Sequence, residues 1–317
     1  MSKHDDRFPP DPETRFTIDC DDLDFALEGF IEKQGYRLFS IFPADGPREA
    51  IVEREGSYVK LKKAAERAGI RDDETSSNEA AISRPGNSEW HEGRAGMQYR
   101  DLLPDRAGGS LIASHIRIPE GGPVPDYVHF HNVDFQVIYC LSGSCKLVYE
   151  SQGKPFEFAA GDCVLQPPGI RHRVLECSDG FEVLELSSPA EHATYADHDL
   201  ELPNGPADPE KRFGGHMFHR HVSNDSERER IDLGLEYPSS GAVIGELVRL
   251  RGSEPLVIES GGSNSSFAYI LDGGVEVSGA GPEPEMLAEG SSLFIPQETP
   301  LDLVSEDATV LLFQLRI

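Results

Sequence analysis

Several things that would place this sequence quickly are missing from it. No run approaches the roughly 18 consecutive apolar residues that a membrane span needs. The opening "MSKHDDRFPP" has no apolar stretch after its lysine and does not read as a secretory leader, so a cytoplasmic protein is expected. Basic residues are scarce: 29 Lys and Arg stand against 56 Asp and Glu, a formal charge of −27. Such a surface repels phosphate backbones and anionic lipid, so neither nucleic acid nor membrane is expected as a partner. The excess equally fits solubility or adaptation to salt. Cysteine is scarce too. Cys20, Cys140, Cys145, Cys163 and Cys177 are odd in number and form no CxxC pair, which argues for reduced thiols and against a zinc ribbon.

What is present is a chain of 317 residues, 27% charged and 38% apolar, long enough for two or three packed units. Residues 15–63 open with a short alternating run and an amphipathic stretch. Asp21 and Asp22 can cap a helix, Leu23, Phe25, Ala26, Phe30 and Ile31 make its stripe, and Gly35 ends it. "YRLFSIF", "EAIVERE" and "YVKLKK" then follow as strands between the turn compositions "PADGP" and "GS", giving the order βαβββ.

The organisation read from the chain is a βαβββ module over 1–65, a polar linker over 66–105, a β-rich unit over 106–190, a second polar connection over 191–235 and a second β-rich unit over 236–317. From about residue 108 the texture is one of short alternating runs, "SLIASHIRI", "FQVIYCLSG", "CKLVYE", "RHRVLEC" and "FEVLELS", bounded by Gly, Pro, Asp or Ser. That is the pattern of an antiparallel sandwich or barrel. The second unit repeats it: "GDCVLQPPGIRHRV" and "GSSLFIPQETPLDLV" both run glycine, five residues, proline, closing strand. The repeat carries no histidine after residue 221.

Chemistry concentrates in the first copy. In "HFHNVDFQ", His129 and His131 share one face of a strand, and His172 opens a later strand after the turn "PPGI". Three imidazoles converging in an apolar barrel suit iron, nickel, copper, zinc or manganese. The plainer alternative is a set of hydrogen-bonded barrel histidines with no metal. Alternation from Gln136 puts Ile138 and Cys140 on the same inward face, as pocket residues or as small buried hydrophobes. Tyr127 and Tyr139 read as groups near the barrel mouth, where a phenol could donate to a bound oxygen, or as core or rim aromatics, while Arg171 and Arg173 point away from His172. The cluster "HMFHRH" (His216, His219, His221) and "EHATYADHDL" (His192, His198) read as connecting segments.

Two resemblances bear on these motifs. "GPVPDYVHFHNVDFQVIYCLSG" followed by "GDCVLQPPGIRH" closely resembles the two motifs of the cupin superfamily, with Gly122, His129, His131, Gly143, Gly161, Pro167, Gly169 and His172 matching in order. The resemblance implies a mainly β chain of two cupin (jelly-roll) barrels, the second degenerate, with His129, His131 and His172 as metal ligands. Gln136 stands where the family usually has glutamate. It would be a weak fourth ligand or a catalytic group bonded to bound water, oxygen or substrate. An uncharged ligand set keeps the charge of a divalent ion, which favours an anionic, chelating small-molecule substrate.

Cupin sites of this kind resemble those of iron(II) dioxygenases, so the expected function is a dioxygenase acting on a small aromatic or enolisable acid with Fe(II) and O2. Zn, Ni, Mn or Cu remain alternatives as the ion. A metal-dependent isomerase or lyase, or a non-catalytic binding module, remains an alternative as the function. Residues 1–65, through "DDLDFALEGFIEKQGYRL" and "AIVEREGSYVKLKK", resemble one half-module of the vicinal oxygen chelate (glyoxalase-like) family. One half cannot close that family's cavity, so the module is expected to dock or dimerise, and a homodimer is expected.

Overall fold

The computed structural model describes residues 8–9, 12–64, 80–93, 96–224, 228–258 and 264–317. The N-terminal module has the βαβββ order: β1 (Thr14–Cys20), α1 (Leu23–Glu28), β2 (Arg37–Phe42), β3 (Glu49–Arg54) and β4 (Ser57–Lys63). Asp22 caps α1 by accepting from the Phe25 amide at 3.0 Å. One π-turn over Gly29–Lys33 follows before Gly35, at φ +70°, ends the stretch. The helical stripe is only partly buried. Leu23 packs against Val52, Val59 and Leu61, whereas Phe25 is 70% exposed. The strands lie in the order β1-β4-β3-β2, with β1 parallel to β4 and at the sheet edge.

The segment read as a linker supplies edge strands. Residues 65–79 lie outside the described residues, but β5 (Ala81–Ser83) pairs with a strand of the C-terminal barrel, and β6 (His91–Glu92) and β7 (Gln98–Asp101) extend a sheet of the first. Strands of two to four residues have too few positions to show a period, so polar composition concealed them.

The first barrel runs from β8 (Ile112–Ile118) and β9 (Gly122–Pro123) through β10 (His129–His131), β11 (Phe135–Ser142), β12 (Ser144–Tyr149), β13 (Phe156–Ala159), β14 (Cys163–Gln166) and β15 (His172–Cys177) to β16 (Phe181–Ser188). The second connection adds β17 (Thr194–Ala196), β18 (Arg212–Phe213), β19 (His216–Met217), β20 (His219–His221) and β21 (Arg230–Asp232). One wall is the run β17-β10-β15-β12-β13, and β2 joins it by pairing with β17, so the N-terminal module continues this sheet. The other wall is β20-β14-β11-β16-β8-β7-β6.

The second barrel comprises β22 (Val243–Leu250), β23 (Leu256–Ile258), β24 (Ser265–Ser278), β25 (Glu285–Ala288), β26 (Ser292–Ile295), β27 (Leu301–Val304) and β28 (Ala308–Leu315). It repeats the first in register. Gln136, Ile138 and Cys140 face Ser187, Glu185 and Val183, and the register then slips. Likewise Ser266, Ala268 and Ile270 face Gln314, Leu312 and Val310 before a slip at the same point. The two interiors differ. Val248, Ile270, Leu293, Val310 and Leu312 help to fill the second with apolar side chains.

The barrels meet sheet to sheet. Phe135, Val137, Tyr139, Leu165, Leu184 and Leu186 of the first pack in one cluster with Phe267, Tyr269, Phe294, Leu311, Phe313 and Leu315 of the second. Strands buried on both faces lose the apolar-polar alternation, which is why "FQVIYCLS" is almost continuously apolar. Among the described residues no helix is long and apolar enough to cross a membrane. Because this cluster belongs to both barrels, Phe313→Ala is expected to cost about 3–5 kcal/mol. Denaturant titration followed by fluorescence and by circular dichroism should show one shared transition, shifted down; two separated transitions would show that the barrels fold independently.

Candidate metal centre

The order of the strands brings the three histidines together. His129 on β10 is the cross-strand partner of His172 on β15, and β17 on the other side of β10 sets Thr194 opposite His131. Strand alternation turns both β10 imidazoles inward. Phe130 between them points outward, beside Phe8 and Tyr195 and beneath the Arg171 guanidinium. The turn before His172 depends on Gly169, whose φ of +78° suits glycine and whose amide donates to the His131 carbonyl at 3.2 Å. That bond ties the second motif to the first.

The three rings are 0%, 7% and 6% exposed, in chain order. Their centroids are 4.2 Å apart for His129 and His172, and 5.2 Å for each pair that includes His131. Among the described residues they are the one group of three or more His, Cys, Asp or Glu side chains that could hold a metal ion. Their candidate ligand atoms lie within 4.8 Å of one another. One ion bonded to nitrogen at about 2.1 Å can bridge that spacing with a small turn of the rings.

Hydrogen bonds at the far side of each ring set the tautomer. Nδ1 of His129 donates to the Tyr127 carbonyl at 2.8 Å, and Nδ1 of His172 to the Ile170 carbonyl at 3.1 Å. A carbonyl only accepts, so in both neutral rings the proton is on Nδ1 and the lone pair on Nε2. Nδ1 of His131 meets the Thr194 hydroxyl at 2.9 Å, which allows the same tautomer. This is the outer arrangement that metal-binding imidazoles require. Asp126 adds a buried carboxylate, 3.5 Å from Nδ1 of His129 and held by the Val174 amide at 3.0 Å.

Gln136 is buried in a chain of polar side chains. The Tyr149 hydroxyl donates to Oε1 of Gln166, and Nε2 of Gln166 donates to Oε1 of Gln136. The relay directs the Gln136 amino group onward as a donor. Burial holds the Tyr149 phenol well above its ordinary pKa, so it stays protonated and keeps the relay in this sense.

The histidines, Gln136, Gln166 and Tyr149 line a cavity of about 80 Å³, the volume of roughly two or three waters or a small organic group. Ile116, Ile118, Ile138, Leu147, Val174 and Val183 are among its apolar walls, and Glu185 is its one lining carboxylate.

Of the pocket residues read from the sequence, Ile138 lines this cavity. Cys140 does not: its thiol lies beside the carbonyls of Ser142 and Gly143, past the layer that faces the histidines, and Cys145 of β12 lines the cavity in its place. Tyr127 serves through its backbone carbonyl, with its ring edge-on to His129 at 5.7 Å. Tyr139 faces the other way from Gln136, into the cluster between the barrels, as a core aromatic and not as a group at the mouth. His192, read as part of a polar connection, is buried edge-on against His131 at 5.6 Å, its Nδ1 donating to the Pro189 carbonyl at 3.0 Å. Asp126, Thr194, Gln166 and Glu185 were missed. Only Asp126, three residues before His129, carried a local signal.

Cys140, Cys145, Cys163 and Cys177 are buried and Cys20 is partly exposed. Burial pushes the Cys140 thiol up to about 12 and also raises Cys163, while contact with Cys177 and then burial raise Cys145. Thiolate is the reactive form, so the native protein at pH 8 should give about one thiol to Ellman's reagent, from Cys20, and five after denaturation. Rapid reaction of two or more in the native state would contradict this burial.

Comparison with known proteins bears on the architecture. Residues 114–186 match the family model described as Cupin domain. No curated protein sequence matches the chain. Among solved structures, protein Ylba from E. coli, of family model DUF861, is 14% identical with a TM-score of 0.55, over 79% of this chain and 94% of that one. Oxalate decarboxylase from Bacillus subtilis, solved at pH 4.6, is 13% identical with a TM-score of 0.53, over 74% of this chain and 75% of that one. Another structure of that enzyme, from work on its Mn(II) centres, is 12% identical with a TM-score of 0.52, over 74% and 76%. The first barrel is therefore similar to a cupin domain over residues 114–186, and the chain shares the two-barrel fold of these structures.

Proposed function

We propose that the chain is a non-haem, divalent-metal-dependent enzyme, and that its reaction is the iron(II)-dependent dioxygenation of a small aromatic or enolisable acid. The observation that carries this reading is the neutral donor set: three buried imidazoles oriented at Nδ1, with an amide at position 136, opening onto an apolar cavity. When bound, iron(II) supplies the one-electron chemistry that lets dioxygen react with an electron-rich organic anion. The protein supplies the rest. His129, His131 and His172 hold the ion without reducing its charge, which leaves that charge to attract an anionic chelator. The Gln136 amino group, oriented through Gln166 and Tyr149, donates a hydrogen bond to an oxygen of the bound molecule. The aliphatic walls exclude water, so these contacts act at low dielectric.

A second reading keeps the ion and removes the oxygen: a decarboxylase, lyase or isomerase in which the charge polarises a carbonyl. It is favoured by the carboxylate of Glu185 in the cavity and by the likeness in fold to an oxalate decarboxylase with Mn(II) centres. We also read the N-terminal module as a glyoxalase-like half-module that forms a homodimer through β1, where Phe16 and Ile18 are exposed. A monomer by light scattering at micromolar concentration would remove that reading.

Elemental analysis tests the main proposal. Freshly purified protein should hold near one equivalent of iron, and His129→Ala/His131→Ala less than about a tenth of that. Asp126→Asn should weaken metal affinity about 10–100-fold without unfolding the chain. Iron-loaded protein should consume oxygen with an enolisable or ring acid. Turnover under argon would favour the second reading, and equal metal content in wild type and the double variant would exclude both.

A further inference from the structure

Resting on the metal-centre reading above, we infer that Glu185 determines substrate specificity. Its carboxylate accepts a hydrogen bond from a hydroxyl group that the chelating acid carries on the side away from its chelating oxygens. The substrate class is thereby narrowed to small chelating acids bearing a remote hydroxyl.

Three observations carry this. First, Glu185 faces the cavity because its strand obliges it to: Phe181, Val183 and Glu185 of β16 all line the cavity, while Leu184 and Leu186 go to the cluster between the barrels. Second, it stands one layer deeper than the amide. Gln136 lies opposite Ser187, and Ile138 lies opposite Glu185, which in turn faces Ser114 of β8. Glu185 is not part of the group of side chains that could hold the ion, so its carboxylate is read as a contact for the bound molecule and not for the ion. The Ser187 hydroxyl donates to its Oε1 at 3.2 Å. A carboxylate accepts several hydrogen bonds at once.

Third, the second barrel shows that the fold does not need a carboxylate there. Pairing registers and the matching slip align Gln136 with Ser266, Gln166 with Ile295, and Glu185 with Leu312. In the copy without histidines the position of Glu185 is thus a leucine, 3% exposed, in an apolar core. A carboxylate among aliphatic walls is costly for folding. It is present in the barrel with the histidines and absent from the one without them.

A matched pair of chelators tests this. Kojic acid and allomaltol present the same hydroxyl and ketone oxygens to a metal and differ in one group, hydroxymethyl against methyl. With the zinc-loaded chain, calorimetric titration should show kojic acid binding about tenfold tighter or more, the range for a hydrogen bond to a charged group. Glu185→Leu, which installs the residue of the second barrel, should bring the two within about twofold at unchanged zinc content. Glu185→Gln, which keeps shape and an acceptor, should reduce the preference to a few-fold and serves if the leucine variant misfolds. Equal binding of both compounds by the wild type, a preference that survives in Glu185→Leu, or one that is undiminished in Glu185→Gln overturns the role of Glu185 and leaves the metal reading standing. Binding of neither compound by the zinc-loaded wild type overturns both.

Discussion

Burying three imidazole rings against one another constrains everything around them. Each ring has two nitrogens that water would otherwise satisfy, and a dry barrel must supply a partner for one while leaving the other directed at a common point. Here the outer nitrogens are met by two backbone carbonyls and one hydroxyl, from Tyr127, Ile170 and Thr194. The acceptors of His129 and His172 lie two residues before them, while Thr194 reaches His131 only through the β10–β17 pairing, and the β10–β15 pairing sets His172 opposite His129. The Gly169 amide bonded to the His131 carbonyl and the Asp126 carboxylate bonded to the Val174 amide fix that register from both sides.

The sequence disclosed the parts that obey local rules. Spacing by two put His129 and His131 on one face, and the punctuation of short strands with a repeated Gly-to-Pro interval announced two related β units. Contributions that depend on pairing across the chain stayed hidden. Thr194 is 63 residues from His131 and is brought beside it by one strand pair. Gln166 and Glu185 matter because they flank β11 in the folded sheet, and nothing adjacent to them in sequence marks this. Parity also misled where a strand is buried twice. Both faces of β11 are apolar, so Tyr139 gave no sign of which side was the barrel interior. Cys140 has the right parity and lies too deep.

Polarity is distributed unequally between two copies of one design. Both barrels close by the same pairing, with the same slip, yet polar and ionisable groups are gathered in the first interior and the second is packed with aliphatic side chains. The second barrel packs against the first through the shared cluster. Its sheet covers the outer face of the strands that carry Gln136, Gln166 and Glu185, and so supports a wall whose inner face is committed to polar work at some cost in packing.

The strand β17 is paired with β10 on one side and with β2 on the other. The N-terminal module, which in sequence looks like a separate bead on the chain, is thereby stitched through one three-residue seam to the strand bearing His129 and His131. Anyone excising the module as an independent building block would be cutting along a line that the hydrogen bonds do not recognise.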